Sequence, residues 1–224
     1  MSKALVIIKS MGIGDLVILI ANIHAISKSI NKPVVVMAQK NTHASEILKY
    51  DPHIKEVFDL DKKEILKIIK KIKPKNFEQS YIYSDSLRLY LISKFSGIKN
   101  NFQYKLFSKK RKNFYKTAKE FTEKVLNSKI ETQPKIFLNI KEVNSAIEKF
   151  NISNKTKNII CGISASGPTK RWNIYNYIKL FERISEKYPC KFFLAGGPKD
   201  QILIDEILSS SIGKYCISFS KMTI

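Results

Sequence analysis

Residues 4–30 read ALVIIKSMGIGDLVILIANIHAISKSI. The run ALVII at 4–8 is apolar, partly β-branched and bounded by Lys3 and Lys9, which predicts a short buried strand. LVILIANIHAISKSI carries its apolar residues at helical spacing, and KSMGIGD lies between the two as a glycine turn. Strand, glycine turn and helix open a Rossmann-like unit. Gly12 and Gly14 stand where positive φ and close approach of a ligand are useful. The third glycine of a dinucleotide fingerprint is missing, because Val17 occupies its place. Asp15, at the helix start, has two readings. As an N-cap it fills orphan amides and repels phosphate. As a carboxylate at the carboxyl edge of a parallel sheet, where α/β ligands bind, it is placed to act as a general base on a hydroxyl.

Outward from this unit the pattern repeats. PVVVMA (33–38), IKEVFDL (54–60) and SYIYS (80–84) read as strands. THASEILKY (42–50), DKKEILKIIKKIK (61–73) and DSLRLYLISKFS (85–96) read as helices between and after them. Such βα alternation predicts a parallel sheet with helices on both faces. Beyond Gly97, NNFQYKLFSKKRKNFYK mixes aromatic and basic residues, AKEFTEKVLNSK (118–129) reads as helix, PKIFLNI (134–140) as strand and EVNSAIEKF (142–150) as helix. A polar stretch follows, and a second unit starts. Its strands are IICGIS (159–164), KFFLAGG (191–197) and YCISF (215–219), with helices at 176–188 and 198–210. The expected organisation is α/β, with two Rossmann-like domains over 1–150 and 151–224, the second incomplete.

The chain has 224 residues and 44% hydrophobic composition, enough for a real core. No apolar run approaches the roughly 20 residues that span a bilayer, and no signal peptide is visible. Cys161, Cys190 and Cys216 are scattered without metal-ligand spacing, so no metal site or disulfide framework is expected and a reducing, cytoplasmic setting fits. Lysine and arginine number 40 against 19 acidic residues, a net charge of +21. Arginine occurs only at 88, 111, 171 and 183, so the excess is lysine. Compositional habit and a surface for polyanions both account for it. His24, His43 and His53 lie far apart in sequence and read as ordinary residues rather than ligands.

GISASGPTKRWNI (162–174) has chemistry complementary to Asp15. Ser164, Ser166 and Thr169 offer hydroxyls, Lys170 a compact cation, and the following helix its first amides, a set suited to a diphosphate. Trp172, the only tryptophan, reads as a packing anchor for that helix. A second turn, AGGPKD, places Gly196 at the end of the next strand.

SASGPTKRWNIYNYIKLFERI followed by FLAGGPKD resembles the second-domain signature of glycosyltransferase family 9, the ADP-heptose:lipopolysaccharide heptosyltransferases. GIGDLVILIANIHAI resembles the same family's opening loop and helix, and SYIYSDSLRLYLISKFSGIKNNFQY its mid-first-domain stretch. The resemblance implies a GT-B-like pair of Rossmann-like domains and an inverting transfer of a heptose or similar sugar from a nucleotide-diphosphate donor to a lipopolysaccharide-core acceptor, with no metal and no cofactor. The first domain would bind an acidic, lipid-linked saccharide acceptor and the second the nucleotide-sugar. Asp15 would deprotonate the acceptor hydroxyl, Lys170 would contact the donor phosphates, and Thr169, Ser166 and Ser164 would line that pocket. The chain departs from the family pattern at Ile20-Ala21, where Thr-Pro is usual, at Ser164 for glycine and at Gly162 for histidine. The family's later Asp-Ser-Gly turn and His-containing helix start have no counterpart, so a fragment or a truncated, non-catalytic remnant is the alternative expectation.

Two basic stretches remain. DKKEILKIIKKIK is amphipathic and has the pattern of a helix covering a sheet, with membrane docking as the other reading of its isoleucine and lysine faces. KLFSKKRKNFYK interleaves aromatics with Lys109, Lys110, Arg111 and Lys112 and is expected to meet the acidic acceptor and the anionic inner face of the inner membrane. A basic nucleic-acid-binding module is the remaining alternative. No helix-turn-helix, RNP or zinc-finger pattern supports it, so no specific nucleic acid is expected.

Overall fold

The computed structural model describes residues 4–9, 12–61, 64–104, 113–163, 165, 167–220 and 222. The chain divides into two compact units, Met1–Leu138 and Asn139–Ile224.

In the first unit β1 (Ala4–Ile8), α1 (Ile13–Ser29), β2 (Val34–Ala38), α2 (Ala44–Ile47) and β3 (Ile54–Asp59) come in order. They are followed by α3 (Ile65–Ile72), β4 (Gln79–Tyr83), α4 (Leu87–Phe95), β5 (Asn100–Gln103) and α5 (Phe114–Leu126). The strands form one sheet in the order β3-β2-β1-β4-β5. Every pairing is parallel, with Leu5 opposite Val35 and Ser80 at its centre. Alternate side chains of one strand leave on opposite faces. Val6, Ile8, Val34 and Val36 therefore meet Leu16, Leu19, Ile20 and Ile23 of α1 and Ala118 of α5. Leu5, Ile7, Val35 and Met37 meet Ile68 and Ile72 of α3 and Leu89 and Ile92 of α4. Burial on both faces is why these strands read as unbroken apolar runs.

In the second unit α6 (Ile140–Lys149), β6 (Lys157–Gly162), α7 (Ile174–Ser185), β7 (Cys190–Ala195), α8 (Gln201–Leu208) and β8 (Cys216–Ser218) follow one another. The strands pair in parallel, in the order β6-β7-β8. Cys190, Phe192 and Leu194 pack against Phe181 of α7 and Ile204 and Ile207 of α8. Phe181 and Phe192 stack at 4.2 Å. On the other face Phe150, after α6, meets Phe193 and Phe219. That contact places α6 with the second unit, so the division falls before α6, whereas the sequence reading puts it after residue 150.

Two elements differ from the sequence reading. PKIFLNI at 134–140 is not a strand. Its alternation is real, with Ile136 and Leu138 exposed and Phe137 turned inward, but Phe137 meets the rings of His24 and His53 instead of a ladder. Conversely NNFQ forms β5, although asparagine disfavours strands. Asn101 Oδ1 accepts hydrogen bonds from Ser80 and Ser93, which fixes it to β4 and α4.

Candidate functional site

In the first unit β1 has β2 on one side and β4 on the other, the switch point of the sheet, where α/β folds bind ligands at the carboxyl ends of the strands. Gly12 and Asp15 follow β1 at that edge. Gly12 is the N-cap of α1 with φ −164°, which is extended backbone, and Gly14 lies within the helix. The positive φ expected of these glycines is therefore not used. A Cβ on either would meet nothing within 4 Å, so what they leave is open space. Asp15 is not the cap. It is the third residue of the helix, in its first turn and half-buried, where a carboxylate suits the helix dipole.

Other polar groups gather at this edge that the sequence reading did not single out. After β4, the Ser84 hydroxyl accepts the Ser86 amide at 3.1 Å, and Gln103 donates to the Ser86 carbonyl at 3.0 Å. Asp85, between those serines, is exposed. A hollow of about 760 Å³ lies beyond β2 and β3, lined among others by Gln39, Lys40, Asn41, Asp59 and Asp61. The Gln39 side-chain nitrogen is buried there without a hydrogen-bond partner. The signal in the sequence was a polar cluster following each strand.

In the second unit two βα loops meet at the carboxyl edge of β6 and β7. The loop after β6 ends in a 3-10 turn, Pro168–Lys170, in which the Lys170 amide donates to Gly167 O at 3.1 Å. The Thr169 and Lys170 side chains are exposed. Ser164 and Ser166 lie outside the described residues, as do Lys109, Lys110, Arg111 and Lys112. Arg171, to which the sequence reading gave no role of its own, organises this loop. Its Nε donates to Ala165 O at 3.2 Å, and its guanidinium lies 3.6 Å from Asp200 Oδ1. Asp200 is buried and its other oxygen accepts the Gly197 amide at 2.9 Å. Gly196 lets the strand end come close: a Cβ there would stand 3.3 Å from Asp200 Cβ and from Ile204 Cδ1. α7 does not offer all its first amides, since Asn173 Oδ1 already accepts that of Tyr175. Trp172 packs edge-on to Tyr177 at 5.0 Å but remains 49% exposed.

Two of the three histidines, distant in sequence, come together in space. His24 and His53 adjoin, ring centroids 4.6 Å apart, around Asp51. His24 Nε2 is 2.6 Å from Asp51 Oδ2, and the His53 amide donates to Asp51 Oδ1 at 2.9 Å. Both histidines sit near the end of α1 and the start of β3, at the opposite edge of the sheet from Asp15. The three cysteines are free thiols, all pushed up by burial, Cys216 to about 12. Among the described residues no helix is long and apolar enough to cross a membrane.

Two units with parallel sheets, helices against them and polar loops at the carboxyl strand edges define an α/β, Rossmann-like fold. No protein-family model matches the sequence, and no curated protein does. Among solved structures the chain is similar to E. coli ADP-heptose LPS heptosyltransferase II, at 17% identity and a TM-score of 0.73, over 100% of this chain and 73% of that one. It is similar to a glycosyl transferase family 9 protein from Veillonella parvula, at 13% identity and a TM-score of 0.79, over 99% and 70%. A third is E. coli heptosyltransferase WaaC with ADP, at 11% identity and a TM-score of 0.66, over 99% and 77%. The fold, along the whole chain, is thus the one seen in family 9 glycosyltransferases.

Proposed function

We propose that the protein is an inverting glycosyltransferase that moves a heptose or similar sugar from a nucleoside-diphosphate donor, ADP-heptose in the first instance, to an acidic saccharide acceptor of the lipopolysaccharide core. The observation that carries this reading is the whole-chain likeness of fold to heptosyltransferases. Asp15 and Lys170 each following the first strand of their own parallel sheet agrees with it.

In this reading Asp15 takes the proton of the acceptor hydroxyl as its oxygen bonds to the anomeric carbon. The bond from that carbon to the diphosphate breaks on the opposite face, and the configuration inverts. General-base help of this kind supplies roughly 10²–10⁴ in rate. The leaving diphosphate gathers charge as it departs, and Lys170 with the Thr169 hydroxyl offsets it. The acceptor is held by polar groups at the carboxyl edge of the first sheet, among them Asp85, Ser86 and the hollow beside Gln39. Ser164 and Ser166 complete the donor loop. The reaction uses no metal and no cofactor, and the site of action is the cytoplasmic side of the membrane.

The test is a transfer assay of the protein beside Asp15→Asn and Lys170→Ala, with ADP binding measured separately. Asp15→Asn should lower kcat by about 10²–10⁴ with donor binding kept. Lys170→Ala should weaken ADP binding as well as turnover. Full activity in either variant removes its assigned role, and ADP binding without any transfer favours the non-catalytic remnant.

A further inference from the structure

One surface of the first unit is left over by the packing of its sheet. α3 turns Ile68 and Ile72 inward, and α4 turns Leu89 and Ile92 inward. Out of that packing stand Leu66 at 75% exposure and Phe95 at 66%, with Leu87 and Leu91 also exposed. Positions 87, 91 and 95 recur every fourth residue and so form one stripe along α4. Ile65 and Ile69 of α3 close a hollow of about 420 Å³ against that stripe, with Ile92 at its floor and Arg88 at its margin. A continuous apolar patch on a chain with 26% charged residues marks an interaction surface.

The charges around it select the partner. Lys67, Lys70 and Lys73 on and after α3, and Arg88 and Lys94 on α4, are all exposed. Glu64 pairs with Lys67, whereas Lys71 and Lys75 lie over the Phe58 ring at 4.1 and 4.8 Å. A second copy would bring an equally basic rim and a net charge of +21 against this one, which opposes self-association. Nucleic acid offers phosphates to such lysines, but binding to its single strands rests on aromatic platforms and not on a leucine stripe. A surface that joins anionic headgroups to accessible acyl chains answers both halves of the patch.

We propose that the α3–α4 face docks on an anionic phospholipid bilayer, with Leu66, Leu87, Leu91 and Phe95 entering the acyl boundary and Lys70, Arg88 and Lys94 meeting headgroup phosphates. The argument is independent of sugar transfer. It also fits the geometry of the unit. Leu87 begins α4 directly after the loop carrying Asp85, so the stripe starts at the same sheet edge as Asp15 and runs away from it.

Co-sedimentation of the full chain with vesicles tests the proposal, using phosphatidylcholine alone and phosphatidylcholine with phosphatidylglycerol. The protein should partition at least about tenfold more strongly onto the anionic vesicles. Leu91→Ser/Phe95→Ser should reduce that binding about tenfold, at positions exposed enough to leave the melting transition unchanged. Lys70→Glu/Lys94→Glu provides a second arm with the same expectation, and Ile202→Ser, an exposed apolar position on α8, should leave binding intact. Equal binding to neutral vesicles, or unaltered binding of both double variants, overturns the proposal. So does a dimer that Leu91→Ser/Phe95→Ser dissociates, which would give the face to a second copy. Loss of binding to single-stranded DNA alone in those variants would give it to nucleic acid.

Discussion

The Arg171 guanidinium lies 3.6 Å from the Asp200 carboxylate, and this pair ties the loop after β6 to the turn after β7. Its two ends are unequal. The Asp200 side chain is 4% exposed and also accepts the Gly197 amide, while the Arg171 side chain is 43% exposed. Asp200→Ala should therefore cost about 2–3 kcal/mol, because the part-buried Gly197 amide and a cation lose their acceptor together. Arg171→Ala should stay within about 1 kcal/mol, as solvent screens the exposed partner. Urea unfolding of both variants reads the difference, and equal losses would contradict it.

The glycines separate folding from ligand approach. A Cβ at Gly196 meets Asp200 Cβ and Ile204 Cδ1 at 3.3 Å and Ile163 Cγ1 at 3.5 Å, so Gly196→Ala should destabilise by about 1–2 kcal/mol. Gly14 has open space around it inside α1, and Gly14→Ala should stabilise by about 0.5–1 kcal/mol. If substrate comes close to this turn, the same variant melts higher and turns over less. A variant both more stable and fully active would mean that no ligand needs the space.

Much of this architecture was legible because its strands are buried on both faces. ALVII and VVVMA form the buried strands that their short β-branched runs predict. What stayed hidden depended on partners far away in sequence. β5 is held by Asn101 to Ser80 and Ser93, the 134–140 alternation is satisfied by two histidine rings, and His24 finds its carboxylate 27 residues later. Asp15 in the first unit and Thr169 and Lys170 in the second were singled out by residue type and position alone, and their roles rest on the proposed sugar transfer. Arg171 and Asp200 were given no role. Neither the spacing nor the type of those two residues says that they meet across two loops.

His53 is held below its ordinary 6.5 first by burial and then by the neighbouring His24, with Lys28 and Lys135 adding to the effect and Asp51 opposing it. A depressed histidine leaves the folded state short of a proton that the unfolded chain binds. The stability that the neutral ring supports is therefore present above 6.5 and lost as pH falls through the lower folded value. Melting temperature should drop between about pH 7 and pH 5. In His53→Gln the part of that drop due to this ring should disappear, and an unchanged slope would show that other groups cause it.

Thr122 is the junction of a buried network that fastens α5 to α1 and β4. Its hydroxyl lies 2.7 Å from Tyr83 Oη and 2.8 Å from both Asn22 Oδ1 and Ala118 O. One hydroxyl has one proton, so Thr122 donates to one of those two carbonyl oxygens and must accept from Tyr83. Burial raises the Tyr83 phenol above its ordinary range, which keeps that proton in place. Thr122→Val fills the same volume but strands the phenol, and should cost about 1–3 kcal/mol. Tyr83→Phe removes only a donor and should cost about 1 kcal/mol. In the double variant the phenol is gone along with its acceptor, so the combined loss should fall short of the sum by at least about 0.5 kcal/mol. Strict additivity in a denaturation cycle would mean that the two hydroxyls do not bond to each other.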